Sequence, residues 1–304
     1  MPLISGRAYA KVNFGLRILN KRPDGFHELR TVFQTVSLFD RLHLDWAPGR
    51  IGGVNLSCSR KDLESPDNLV VRAADSLLAA AGKKGRLKIT LEKQIPSGAG
   101  LGGGSTDAAA TLIGLSRLLK SPPAPEILSE IAGDLGSDIP FFLHGGRSVG
   151  VGRGEEVYPL PELPKQWLLL LAPNLHSSTP EAYRDLARSR DGGLTGAAKR
   201  RIINVFGSRT GVPGVRAAQS FAGALANDFE DVIFHRFPHL AVLKSHLEKL
   251  GAHGSALSGS GSALFGVFPS KKAAEAARKR LGKIDGDVFV VSTVTRRVCA
   301  SAWR

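Results

Sequence analysis

A two-domain fold of mixed α and β structure is predicted by three features of the chain. Strand-periodic and helix-periodic segments alternate, a proline-rich stretch interrupts them at residues 159–164, and 304 residues exceed one ordinary domain of roughly 100–200. The break places the domains at residues 1–162 and 163–304. Apolar residues make up 42% and charged residues 22% of the chain, which excludes a disordered or fibrous polymer. The pattern leaves parallel and antiparallel pairing open.

Over residues 9–18, Ala10, Val12, Phe14, Leu16 and Ile18 alternate with mostly polar or small neighbours, the period of a strand with one buried face. Pro23-Asp24-Gly25 then supplies a fixed φ, a local side-chain acceptor and φ freedom, so a hairpin returns through a second strand at 31–44. Ser65-Pro66-Asp67 starts a helix over 69–81 that stops at Gly82. Residues 87–95 alternate as a strand and run into a glycine cluster. Beyond it, Ala108, Leu112, Leu115 and Leu119 share one face of a helix over 105–119, ended by Pro122-Pro123. A shorter helix over 125–135 leads into Gly136-Ser137-Asp138, and strand-like residues 146–158 finish the first domain. The second reads as a strand at 167–172, helices at 180–188, 218–227, 239–250 and 271–281, a strand-turn-strand at 256–267 and a last strand at 287–295.

The longest purely apolar run, residues 167–172, is far short of the roughly 18 residues a membrane-spanning helix needs. Arg7, Lys11 and Asn13 interrupt the first 19 residues, so no secretory signal is expected and a cytoplasmic location is. Cys58 and Cys299 stand alone, which argues against a zinc knuckle or a disulfide framework. Net charge is +14, with 20 basic and 17 acidic residues up to position 162 and 21 and 10 after it. The basic excess of the second half, which includes a basic segment over residues 188–216, suits an acidic small molecule, a nucleic acid or a solvated face. No helix-turn-helix, RNP or zinc-finger pattern accompanies it, so no nucleic-acid partner is expected. Oligomeric state is left open.

The strongest chemical signal is Pro96-Ser97-Gly98-Ala99-Gly100-Leu101-Gly102-Gly103-Gly104-Ser105-Thr106, between a predicted strand and a predicted helix. Glycines allow positive φ and close approach, so successive N–H groups can converge on phosphate oxygens, aided by the N-terminal end of the following helix. A Walker A loop needs Gly-Lys-Ser/Thr, whereas Ser105 follows Gly104 directly. The Rossmann reading needs a strand ending in an acidic residue roughly 20 positions on, where a helix and two prolines stand instead.

Lys11 and Asn13, two apart on a strand, share the face opposite Val12 and Phe14. Lys11 is there either a solvent-facing lysine or a phosphate and carboxylate contact. Asp138 is either a turn or cap residue or a carboxylate that orients and deprotonates a hydroxyl. Phe26 and His27 offer a ring face and a hydrogen-bonding edge, for core packing or for stacking on a base. Ser258-Gly259-Ser260-Gly261-Ser262 is a tight turn that, beside the first loop, would close over a ligand.

Together these segments resemble the GHMP kinase superfamily. The resemblance is carried by Ala10-Lys11-Val12-Asn13, Arg22-Pro23-Asp24-Gly25-Phe26-His27, the glycine loop, Gly136-Ser137-Asp138-Ile139-Pro140-Phe141 and the second loop from Leu257. It implies an α+β fold with an N-terminal domain like ribosomal protein S5 domain 2, a C-terminal ferredoxin-like α/β sandwich and an active site in the interdomain cleft. The Asp-Gly-aromatic-His segment resembles the branch that phosphorylates a cytidylyl alcohol. That implies transfer of the ATP γ-phosphate to the 2-hydroxyl of 4-diphosphocytidyl-2-C-methyl-D-erythritol, in the non-mevalonate route to isoprenoids. Asp138 is then the base, with Lys11 keeping it ionised and polarising the hydroxyl. Residues 96–106 bind ATP, and Ser105 contacts an implied Mg²⁺. Asn13 and His27 address the cytidine end, with Phe26 and Tyr183 as aromatic walls. Phe26 stands where the family often has tyrosine, and Asp107 stands where some members have asparagine, capping the helix or approaching the metal. Mevalonate and homoserine are the competing acceptors, and a sensing or nucleic-acid-binding relative without catalysis is the competing class.

Overall fold

The computed structural model describes residues 3–189 and 225–303. Its framework is a long hairpin, β1 (Leu3–Lys21) against β2 (His27–Pro48), paired antiparallel. Gly25, at φ +86°, donates to the Arg22 carbonyl and lets the chain reverse at the predicted turn. β3 (Gly53–Cys58), β4 (Gly85–Glu92), β5 (Arg147–Val151) and β6 (Glu156–Pro159) complete the first sheet in the order β3-β4-β2-β5-β6, with β1 on β2. The pairing left open resolves mainly by short connections: β3 and β4, separated by a helix, run parallel, and every other pairing among the described strands is antiparallel.

One face of this sheet is covered by α1 (Leu69–Ala80), α2 (Gly103–Leu118), α3 (Pro125–Leu135) and α4 (Ile139–His144). Leu42, Leu44, Leu87 and Ile89 meet Leu77, Leu112 and Leu115 in a buried core, each full burial stabilising by about 1.5–3 kcal/mol. The second sheet runs β10-β7-β9-β8, from β7 (Trp167–Pro173), β8 (Gly254–Leu257), β9 (Leu264–Phe268) and β10 (Gly286–Ser292). β7 is apolar at every position because both faces are covered. Leu169 and Leu171 pack with the helical layer of α5 (Thr179–Ser189), α6 (Glu230–Arg236), α7 (Pro238–Lys249) and α8 (Lys271–Arg280), while Leu168, Leu170 and Ala172 pack against Ala10, Val12 and Phe14 of β1. The two halves therefore share a core. The chain end, α9 (Arg296–Ala300) and Trp303, returns to the first sheet, with the Trp303 indole in space that Cβ atoms at Gly6 and Gly114 would fill.

Several expectations are corrected. β3, α4, α6 and α9 carry no predicted counterpart: each is seven residues or shorter, too brief to display a period. The strand expected over 146–158 is β5 and β6 about a turn with Gly152 and Gly154 at φ +70° and +107°. The strand expected to reach residue 95 stops at Glu92, because the Asp40 carboxylate takes the Gln94 and Ile95 amides. Of the helix expected over 218–227, residues 218–224 lie outside the described residues, as does the basic segment after Ser189. Ala226 is not helical, since its carbonyl accepts from Leu16 N at 2.9 Å. Among the described residues no helix is long and apolar enough to cross a membrane.

Candidate active site

The glycine loop leaves β4 and enters α2 at Gly103. Gly98, Gly100 and Gly102 all have positive φ, between +69° and +77°, a conformation that costs residues with a Cβ roughly 1–2 kcal/mol. Its carbonyls are tied to the protein: Leu101 O accepts from Lys11 N, Ala99 O from Ala263 N and Gly100 O from Ser258 Oγ, each at 3.0 Å. Its amides are not. From Gly98 to Ser105 no N–H finds an acceptor among the described residues, and the first to do so is Thr106 N, on Gly102 O at 2.8 Å. Successive free N–H groups at a helix start form an anion-binding surface.

Close packing explains the glycines as well as conformation does. A Cβ at Gly102 would lie 2.6 Å from Phe142 Cζ and 3.2 Å from Lys11 Cγ, and one at Gly100 would land on the Ser258 carbonyl oxygen. Gly100→Ala is therefore expected to part the two loops and raise the KM for ATP by about tenfold or more, with a lowered melting temperature. Kinetics at varied ATP check this, and an unchanged KM would show that the loop contact is dispensable.

Lys11 projects from β1 with only 4% of its side chain exposed, and its Nζ lies 3.3 Å from Asp138 Oδ2. Asp138 is the residue before α4, yet its side chain makes no capping bond; the carboxylate goes to Lys11 instead. Both line a cavity of about 660 Å³ together with Asn13, Phe26, His27, Tyr183, Gly100, Gly102 and Ser105. The rest of the predicted loop, Pro96, Ser97, Gly98, Ala99, Leu101, Gly103, Gly104 and Thr106, does not line it, and Ala99, Leu101 and Thr106 are buried anchors. Asn13, which the resemblance assigns to the cytidine, has both ends of its amide engaged within the protein: Oδ1 accepts from Lys11 Nζ at 2.7 Å and Nδ2 donates to Thr31 Oγ1 at 2.8 Å.

Part of the cavity wall is aromatic. His27 stacks on Tyr183 at 5.0 Å, Tyr183 meets the edge of Phe229 at 4.9 Å, and the Arg153 guanidinium covers the exposed Phe26 ring at 4.8 Å. Burial, and then the charge of Asp138, push the Tyr183 hydroxyl up to about 12, so it stays protonated. Arg153, Phe229, Thr31 and Thr179 escape the sequence reading; only Arg153, alone between Gly152 and Gly154, had a local signal. The second loop closes beside the first, held by Asn227 Nδ2 to Leu257 O and Gly259 O at 2.9 and 2.7 Å and by Ser177 Oγ to Ser260 O at 2.8 Å.

Beneath the glycine loop lies a buried charge cluster that sequence reasoning also misses. Lys93 pairs with Asp40 and, at 2.7 Å, with Asp107, and Asp107 Oδ1 has no hydrogen-bond partner among the described residues. Asp107 neither caps α2, whose N-cap is Gly102, nor lines the cavity. Loss of water, against the pull of Lys93 and reinforced by Asp40, raises the Asp107 carboxyl well above the usual carboxylate range. A carboxyl raised on folding favours the folded state fully below its ordinary value and loses that contribution as pH climbs through the folded value. Asp107→Asn, which cannot ionise, is thus expected to gain melting temperature over the parent as pH rises above about 4. Melts across pH check this; a gain that shrinks with rising pH contradicts it.

Two family models match the chain, the GHMP kinases N terminal domain over residues 68–146 and the GHMP kinases C terminal over 215–286. Fold, glycine loop and matches define the class as a GHMP small-molecule kinase. A 4-diphosphocytidyl-2-C-methyl-D-erythritol kinase of Solibacter usitatus is 46% identical over 98% of this chain and 91% of its own. A crystal structure of a 4-(cytidine 5'-diphospho)-2C-methyl-D-erythritol kinase superposes with a TM-score of 0.75 at 34% identity, covering 95% of this chain and 98% of the other. The homoserine kinase of Cytophaga hutchinsonii reaches the same TM-score at 19% identity, covering 97% and 95%, and shares the fold. The chain belongs to the family of 4-diphosphocytidyl-2-C-methyl-D-erythritol kinases.

Proposed function

We propose that this kinase transfers the γ-phosphoryl group of ATP to the 2-hydroxyl of 4-diphosphocytidyl-2-C-methyl-D-erythritol, the phosphorylation step of the non-mevalonate route to isoprenoids. The observation that carries the reading is the Lys11–Asp138 pair, 3.3 Å apart, in one cavity with Gly100, Gly102 and Ser105 of the glycine loop. ATP lays its phosphates against the loop amides. The acceptor hydroxyl sits between Lys11 and Asp138; its oxygen bonds to γ-phosphorus as the bond to the ADP oxygen breaks, and its proton passes to Asp138. Lys11 donates to the oxygens that gather charge. Positioning and charge stabilisation supply most of the rate in such transfers. The aromatic part of the wall, with Phe26, His27 and Tyr183, receives the cytidine, where stacking on a base is worth about 1–3 kcal/mol.

Mg²⁺ belongs to this reading. Among the described residues there is no cluster of three or more His, Cys, Asp or Glu placed to hold a metal ion. Ser105, at the start of α2 and on the cavity wall, offers one hydroxyl, which suits an ion held mostly by phosphate oxygens and water. When bound, the ion would neutralise charge on the β- and γ-phosphates. The division at residues 162 and 163 is part of the same proposal, supported by the first sheet ending at Pro159 and the second opening at Trp167, as is a cytoplasmic location.

The test is ADP release from ATP with the cytidylyl alcohol, mevalonate and homoserine in turn, with and without Mg²⁺. Turnover of the first alone, dependent on the metal, is expected. Turnover of another acceptor with none of the cytidylyl alcohol would overturn the assignment.

A further inference from the structure

The amide of Asn13 can face Lys11 with either end, and only one end helps. With Oδ1 toward the ammonium it accepts a proton; with Nδ2 toward it, two donors oppose each other and Lys11 loses a partner. The side chain therefore needs something that fixes which way it faces. Asn13 is buried in the hairpin, 1% exposed, so water cannot compensate a wrong orientation.

Thr31, on β2 and equally buried, supplies the constraint. Its hydroxyl has one proton, and that proton goes to the Gly15 carbonyl at 2.8 Å. Toward Asn13 the hydroxyl is left with lone pairs only, so it must accept, and Nδ2 donates to it at 2.8 Å. Oδ1 is thereby turned to Lys11, at 2.7 Å. The Gly15 carbonyl is available because β1 slips register between Asn13 and Leu16 with Gly15 at φ +91°; such irregularities commonly re-aim groups beside a site. One Lys11 proton is then committed to Asn13, and the ammonium so held lies 3.3 Å from Asp138 Oδ2.

We infer that Thr31 is a positioning residue for phosphoryl transfer: acting through Asn13, its hydroxyl aims the Lys11 ammonium at Asp138 and the acceptor. The inference rests on Lys11 and Asp138 being the reacting pair, and it gives the hairpin irregularity at Gly15 a catalytic purpose.

The test is a double-mutant cycle in the ADP-release assay with ATP and the cytidylyl alcohol. Thr31→Val, nearly the same shape without the hydroxyl, is expected to lower kcat about tenfold to a hundredfold, with the KM for ATP held within about twofold. Thr31→Ser is expected to restore most of the rate. In an Asn13→Ala background, Thr31→Val is expected to add no further loss, because the residue it acts through is gone. A fold defect would instead persist in that background, lowering kcat and raising the KM for ATP together. Should Thr31→Val not fold, Thr31→Ala takes its place in the cycle. Undiminished kcat, failure of serine to restore it, or full multiplication of the two losses overturns the inference. Wild type and Asp138→Asn run alongside: an inactive wild type or an active Asp138→Asn defeats the underlying reading, whereas an active wild type, a dead Asp138→Asn and a normal Thr31→Val defeat only this one.

Discussion

Asp138→Asn is expected to lower kcat by about a hundredfold to ten-thousandfold while leaving ATP affinity within about twofold. The asymmetry follows from where the residue sits. Asp138 precedes α4 and pairs with Lys11 on the cavity wall, whereas the glycine loop is anchored through Lys11 N, Ala263 N and Ser258 Oγ, none of which involves the Asp138 carboxylate. Asparagine keeps the shape and one oxygen but cannot take the hydroxyl proton. Fluorescent-nucleotide titration beside steady-state kinetics separates the two quantities. A near-normal kcat would remove Asp138 from the proton path, and a parallel loss of ATP binding would make its role structural.

Lys93→Met is expected to destabilise the fold by about 3–5 kcal/mol, the range for breaking a buried ion pair from one side. Methionine fills similar space but leaves Asp40 and Asp107, 0% and 3% exposed in their side chains, buried together without their cation. Asp40 also holds the Gln94 and Ile95 amides, so the damage spreads to the root of the glycine loop and a weaker ATP site is expected with it. Urea unfolding of the variant beside the parent measures the loss. A midpoint close to the parent's would show that the cluster relaxes by taking up protons and contributes little.

What the sequence revealed followed the length over which a physical pattern extends. The long hairpin and the helices over 69–81, 105–119 and 125–135 were legible because several turns or alternations repeat one period; α4 and α9, of six and five residues, had no room to repeat anything. The glycine loop was legible because a dense run of glycines has few physical uses. Its companions were hidden for the opposite reason. Thr31 and Phe229 reach the cavity by strand pairing and helix packing that join positions distant in the chain. Asp40, Lys93 and Asp107, each ordinary in its own segment, become a cluster only when β2, β4 and α2 assemble. The shared face of Lys11 and Asn13 was legible from their spacing, whereas the Thr31 hydroxyl that takes the Asn13 amide comes from the neighbouring strand and was not.

The central claim is that the amides from Gly98 to Ser105 hold a triphosphate whose terminal group meets a hydroxyl placed between Lys11 and Asp138. A crystal structure of the complex with a non-hydrolysable ATP analogue and the cytidylyl alcohol measures this directly. Phosphate oxygens within hydrogen-bonding distance of those amides, and the 2-hydroxyl in contact with both Lys11 Nζ and the Asp138 carboxylate, are the expected result. A triphosphate lying away from the loop, or an acceptor hydroxyl remote from that pair, would contradict the account.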